Sequence, residues 1–176
     1  MSREAHLLTL LDDHRAAVRE FDERAGAVAV DAWLTPRAEG KWTPAQETRH
    51  LIMAFEALTR DLLEGKPMRL RGSAWQRPIW RLIGMTSMLW LGKIPTAVSA
   101  PREVRPESEP APQSELLPLF RKRAEEFEAA LLRTFREAPR RTMTHPMFGS
   151  VALDHAVRLS SVHTRHHANF LPAVAR

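Results

Sequence analysis

The sequence predicts an all-α protein: a four-helix bundle, up-down-down-up, whose second and third helices are joined by a long crossover containing a short extra helix. Three observations predict it. Four segments of about twenty residues repeat apolar positions at steps of three and four, the period that sets one stripe of a helix against a core. Connections within the first pair and within the last pair are short, so each pair runs antiparallel, while residues 66–112 leave enough chain between the middle two to cross the bundle. No stretch alternates as a strand does, so no strand is expected. At 176 residues the chain is read as a single domain, 1–176, with room for a substantial core.

The first helix is expected over residues 3–25. Leu7, Leu11, His14, Val18, Phe21 and Ala25 form its apolar stripe, charged side chains fill the other faces, and Ser2 is placed to cap it. A histidine inside such a stripe, His14, is expected to be hydrogen-bonded in the core. After a loop over 26–41, Thr43 caps the second helix, Pro44 suits its first position and Gln46 completes a capping box. This helix runs to Glu64, where Gly65 and Pro67 stop it. Its inward face carries His50, Leu51, Ala54, Leu58 and Leu62, with Gln46 and Glu47 one turn before His50.

The crossover begins with an apolar stretch, Trp75 to Leu91, too short to span a membrane and interrupted by Arg77 and Arg81. It is expected to form a short helix packed over the bundle or against a second subunit; an interfacial membrane helix is the alternative. From Pro95 to Pro112 five prolines impose an extended loop. The third long helix is placed at 114–137 on the stripe Phe120, Ala124, Phe127 and Leu131, with Pro118 marking its first turn and 114–117 as a lead-in. Residues 138–150 are read as a turn, and 151–171 as the last helix, ended by Pro172.

The net charge of +5 is scattered, with no basic stripe carrying interleaved aromatics, so neither nucleic acid nor a membrane is an expected partner. The opening MSREAHLL has charges where a signal peptide needs an apolar run, and a cytoplasmic location is expected. The absence of cysteine removes disulfides, thiolate zinc sites and a cysteine nucleophile. Any metal must be held by imidazole and carboxylate, and any thiol in the chemistry must come from a cofactor.

The last helix carries His155, His163, His166 and His167. His163 and His167 are four apart, which turns their side chains only ~40° from one another and lifts one ~6 Å above the other. Both can therefore reach one ion. His166 is displaced by ~100° and faces other surroundings. Topology supplies the third ligand. His50 lies ~10 Å from the start of the second helix, and His167 lies near the end of the fourth. In an antiparallel pair those depths coincide. Helix length sets His145 ~15–20 Å or more from the His163 level unless its loop folds back, so His145 is left out. His155 comes two turns too early, and His6 is near the chain start.

Three neutral imidazoles with an open fourth position are what a catalytic zinc ion uses; nickel, cobalt or iron would accept them too. Glu47 or Gln46 is placed to orient His50 or a bound water. A di-iron site needs more carboxylates than are present, since Ser160 and Thr164 stand where acids should be. Ser161, His163 and Asp154 lie on one helix in directions unsuited to a nucleophilic triad.

Three motifs, GKWTPAQETRHL at 40–51, HPMFG at 145–149 and LSSVHTRHH at 159–167, come in this order along the chain. On them the chain resembles the DinB-like, YfiT-like superfamily of metal-binding helical bundles. The resemblance implies one histidine ligand on the second helix and two, four apart, on the fourth, here His50, His163 and His167. It also implies a homodimer, and an enzyme that is either a thiol-dependent S-transferase or a hydrolase acting on a small molecule. The expected cofactors are a divalent metal and, for a transferase, a low-molecular-weight thiol; Glu47 is the candidate catalytic base. The alternative is a non-catalytic stress-response or binding module on the same bundle.

Overall fold

Thr43 opens the second helix as the sequence predicts: its hydroxyl accepts from the Gln46 N–H at 3.1 Å while the Gln46 side chain accepts from the Thr43 N–H at 3.0 Å. Gly65 closes the same helix in the left-handed region, at φ 66°. The computed structural model describes residues 2–71, 75, 77–94, 100–106 and 111–172, and these are mostly helical. The long helices are α1 (Arg3–Gly26), α2 (Pro44–Glu64), α5 (Gln113–Glu137) and α6 (Leu153–Ala168). Between α2 and α5 the crossover forms α3 (Arg77–Trp80), a π-helical stretch (Arg81–Met85) and α4 (Thr86–Leu91), then a 3₁₀ turn at Arg102–Val104. Pro95 and Pro110, counted in the predicted extended loop, lie outside the described residues.

The core joins Leu7, Leu11 and Phe21 of α1, Leu51, Ile52 and Phe55 of α2, Phe120, Phe127 and Leu131 of α5, and Leu153 and Val157 of α6. The tightest pairings are α1 with α6 and α2 with α5. Contacts of α1 with α5 run in opposite chain order: Arg3 meets Phe135, Arg15 meets Glu128, Asp22 meets Arg121 and Ala25 meets Gln113. Those of α1 with α6 run in the same order, Asp13 to Arg165 and Arg24 to Asn169.

Four expectations need correction. The segment read as a turn is a β-hairpin, β1 (Thr142–His145) against β2 (Gly149–Ala152). Its three-residue loop is closed by Gly149 at φ 69°, a conformation that a Cβ disfavours. Asp61, buried near the end of α2, accepts the Thr144 N–H at 2.7 Å and so ties β1 to the bundle. Because 151–152 belong to β2, the last helix starts at Leu153 and ends at Ala168 rather than filling 151–171. In α5, Pro118 sits inside the helix, which already begins at Gln113; only the proline's missing N–H is lost from the ladder. Finally, His14 is buried as expected, but neither ring nitrogen has a hydrogen-bond partner among the described residues.

The crossover helix lies over the hairpin. Met85 and Met88 are buried beneath it, and Arg81 donates to the carbonyls of Phe148 and Ser150 at 3.1 and 2.6 Å. Arg158 of α6 donates to the Leu89 carbonyl at 2.6 Å. At Gly84 the Phe148 ring comes so close that a Cβ would lie 2.7 Å from its Cε1. The opposite face of this helix, Ile79, Leu82, Ile83, Trp90 and Leu91, is exposed, as is Trp75 just before it.

Candidate metal centre

His50 sits on the second turn of α2 and His163 and His167 on the last turns of α6, and the three rings meet between those helices. The Nε2 of His163 lies 3.1 Å from Nε2 of His50 and 3.1 Å from Nε2 of His167. Ligand atoms at ~2.0–2.1 Å from a tetrahedral ion stand about 3.3 Å apart, so the spacing suits one. His50 and His167 are buried at 3% and 6% exposure.

The other ring nitrogens decide the tautomers. His50 Nδ1–H donates to the Val104 carbonyl at 2.6 Å, and His167 Nδ1 shares one proton with Oε2 of Glu47 at 2.5 Å. With both protons on Nδ1, the Nε2 atoms of His50 and His167 present lone pairs to the centre. His163 Nε2, between them, can donate to only one. Two or three lone pairs then face one another in a buried space, an arrangement that a cation satisfies and a purely structural cluster does not.

Burial pushes the His50 imidazole down to about 4, although the Val104 carbonyl favours its charged form. Burial, aided by the neighbouring imidazoles, holds His163 and His167 well below the usual range. Burial also pushes Glu47 up to about 8, with the Arg37 guanidinium pulling the other way. Glu47 and His167 are thus both kept from charging by their surroundings, and a single proton occupies their contact. For His167 to offer Nε2 to an ion that proton must sit on Nδ1, leaving Glu47 as the accepting carboxylate.

Glu47 is therefore no surface carboxylate; it is 3% exposed and occupied with His167. Gln46 orients nothing in the site, because its side chain is spent in the cap of α2. His145 is closer than helix length implies. The hairpin folds back, so His145 lines the same cavity as His163, stacked 4.3 Å from the Phe148 ring, and burial pushes it down to about 4. It remains outside the ligand set, its Nδ1 accepting the Met147 N–H at 3.3 Å. His166 also borders the cavity, 4.4 Å from the Phe170 ring, rather than facing away. His155 and His6 are exposed.

Three site residues were not singled out beforehand. Trp42 packs 4.9 Å from the His50 ring, and Arg37 lies 4.0 Å over Phe170. Trp42 directly precedes the Thr43 cap, a sequence signal for a side chain held at the mouth of α2. The Val104 carbonyl leaves no such signal, since every residue has one.

A family model described as the DinB superfamily matches residues 11–171. The chain belongs to the DinB superfamily. The match takes in α1 from Leu11 onward, α2, the crossover, α5, the hairpin and α6, and so all three histidines of this DinB-superfamily centre. Neither a curated protein nor a solved structure matches it.

Proposed function

We propose that this DinB-superfamily chain is a metal-dependent enzyme acting on a small molecule, as a thiol S-transferase or a hydrolase. The observation that carries the proposal is the convergence of three Nε2 atoms, with the His50 proton fixed on Nδ1 by the Val104 carbonyl and His167 Nδ1 in contact with the Glu47 carboxyl group. His50, His163 and His167 would hold the ion, zinc by preference, with nickel, cobalt or iron as acceptable substitutes. When bound, the ion supplies a lowered pKa to a water or to the thiol of a low-molecular-weight cofactor.

The protein's own residues do the rest. Glu47 fixes the ring of His167 and is a positioning residue rather than a free base. His145 accepts at Nδ1, which leaves Nε2–H as a donor for an oxygen in the cavity. The pairings of α1 with α5 and α6 support an up-down-down-up order, in which α2 and α6 run oppositely past the centre. The exposed Leu82, Ile83, Trp90 and Leu91 support a homodimer that covers the crossover.

Metal analysis of purified wild-type and His163→Ala protein tests the proposal. One equivalent of metal is expected in the wild type and a loss of most of it in the variant. Protein that stays metal-free under metal-replete conditions returns the chain to the second reading, a non-catalytic binding module. Metal-loaded protein is then assayed against a panel of thiol acceptors and a panel of esters and amides to separate transferase from hydrolase.

A further inference from the structure

Several arginines on this protein have acidic partners: Arg15 has Glu128, Arg121 has Asp22, Arg123 has Glu56 and Arg165 has Asp13. The cavity above the three imidazoles differs. Its volume is about 770 Å³, and among the described residues it is lined by Arg37, Lys41, Arg71 and Arg105, against one acid, Glu47. That acid is turned to His167. Among the described residues neither Arg37 nor Arg105 makes an ion pair: Arg37 lies over the Phe170 ring, near enough to act on the Glu47 charge, and Arg105 reaches the Ala100 carbonyl at 3.4 Å. Arg37 is beside Phe170, which packs against His167, and Arg105 is next to the Val104 that holds His50. Between this rim and the histidines the wall is apolar, with Met88, Ile94, Met143, Met147, Phe148 and Leu159. A volume of this size is that of a small-molecule site, where a few charged groups orient and an apolar wall supplies affinity.

We propose that the cavity binds an amphipathic small molecule bearing one acid group, a carboxylate or a phosphate. The acid is held at the rim by Arg37 or Arg105, and the apolar body lies along the methionine-rich wall toward His163. This assigns a substrate class to the centre and rests on the metal-dependent reading above. Charge-assisted bonds from guanidinium to an acid group contribute more than neutral ones, and the flexible thioethers of Met88, Met143 and Met147 adapt to an unbranched chain.

Calorimetric titration of decanoate, decyl phosphate and decanol into the full-length protein tests it, as purified and after chelation. At least one of the two acids is expected to bind about tenfold or more tightly than the alcohol, and the tighter of the two names the acid group. The preference is expected to survive metal removal and to disappear in the Arg37→Gln/Arg105→Gln double variant, whose changes are at exposed positions. Equal affinity for acid and alcohol, no binding of any of the three, or unchanged acid binding in the double variant overturns the proposal. So does a preference that vanishes on chelation, since the ion alone would then be recognising the acid. Metal content is read separately, so a metal-free protein that still prefers the acid defeats only the enzymatic reading.

Discussion

At the scale of single residues, His14 combines full burial with two unbonded ring nitrogens, edge-on to Phe55 and Phe127 at 5.7 and 5.6 Å. Burial pushes it down to about 4, so it is neutral at pH 7. The unfolded imidazole titrates near ~6.5. Between those values the unfolded chain binds more protons than the folded one, and stability falls as pH drops through that window; above it the contribution is complete. His14→Leu is expected to raise stability by on the order of 1 kcal/mol at pH 7.5 and to make the loss between pH 6.5 and 4.5 shallower. Urea unfolding at pH values of about 7.5, 6.5 and 4.5 checks this, and an unaltered slope with no gain at the highest would mean the imidazole is paired. The sequence placed His14 inside but assumed a partner, because the stripe shows burial and says nothing of neighbours. His50 was legible for the opposite reason: depth along a regular helix is arithmetic, and its carbonyl partner was not, because a backbone oxygen carries no residue code.

At the scale of elements, the crossover and the hairpin act as one unit. The π-helical turn brings Gly84 against Phe148, Phe148 stacks on His145, and His145 borders the metal-centre cavity. A side chain at position 84 has no room unless the Phe148 ring shifts. Gly84→Ala is expected to loosen this unit by roughly 1–3 kcal/mol of overpacking, with faster amide exchange over 81–91 and little change in α1, α2, α5 or α6. Unchanged exchange in the crossover would show that Phe148 repacks freely. Neither element was fully legible. The strands TMTH and GSVA are four residues each, too short to establish an alternating pattern, and missing them made His145 look distant. Pro118 misled through a rule that holds for isolated helices; here the buried faces of Leu116, Leu117 and Phe120 hold the first turns of α5 in place.

At the scale of the whole molecule, the bundle is two tight helix pairs, α1 with α6 and α2 with α5, and the three imidazoles straddle the seam between them. An ion bound there ties α2 to α6 in the folded state only. At a free metal concentration 100 times Kd the gain is about 2.7 kcal/mol, which for a domain of this size raises Tm by roughly 5–10 °C. Chelation followed by a thermal melt is expected to show that drop, and re-addition of zinc to reverse it. A Tm indifferent to metal would place the ion outside the seam. At this level the mostly helical fold on four long segments was legible, but the closest neighbours were not: short loops suggested α1 beside α2 and α5 beside α6, whereas the tightest pairings are α1 with α6 and α2 with α5.

The hydrogen bond from His50 to the Val104 carbonyl gives the centre an unusual dependence. The orientation of one candidate ligand is set by a 3₁₀ turn that belongs to none of the long helices. The Val104 side chain is itself buried against Ala57 and Met68, so position 104 tolerates only an apolar group of similar size, and lengthening or shortening the loop around it would swing the imidazole. Among related chains, gain or loss of residues in this loop, more than exchange of one amino acid for another, is the route by which such a centre would be retuned or abandoned.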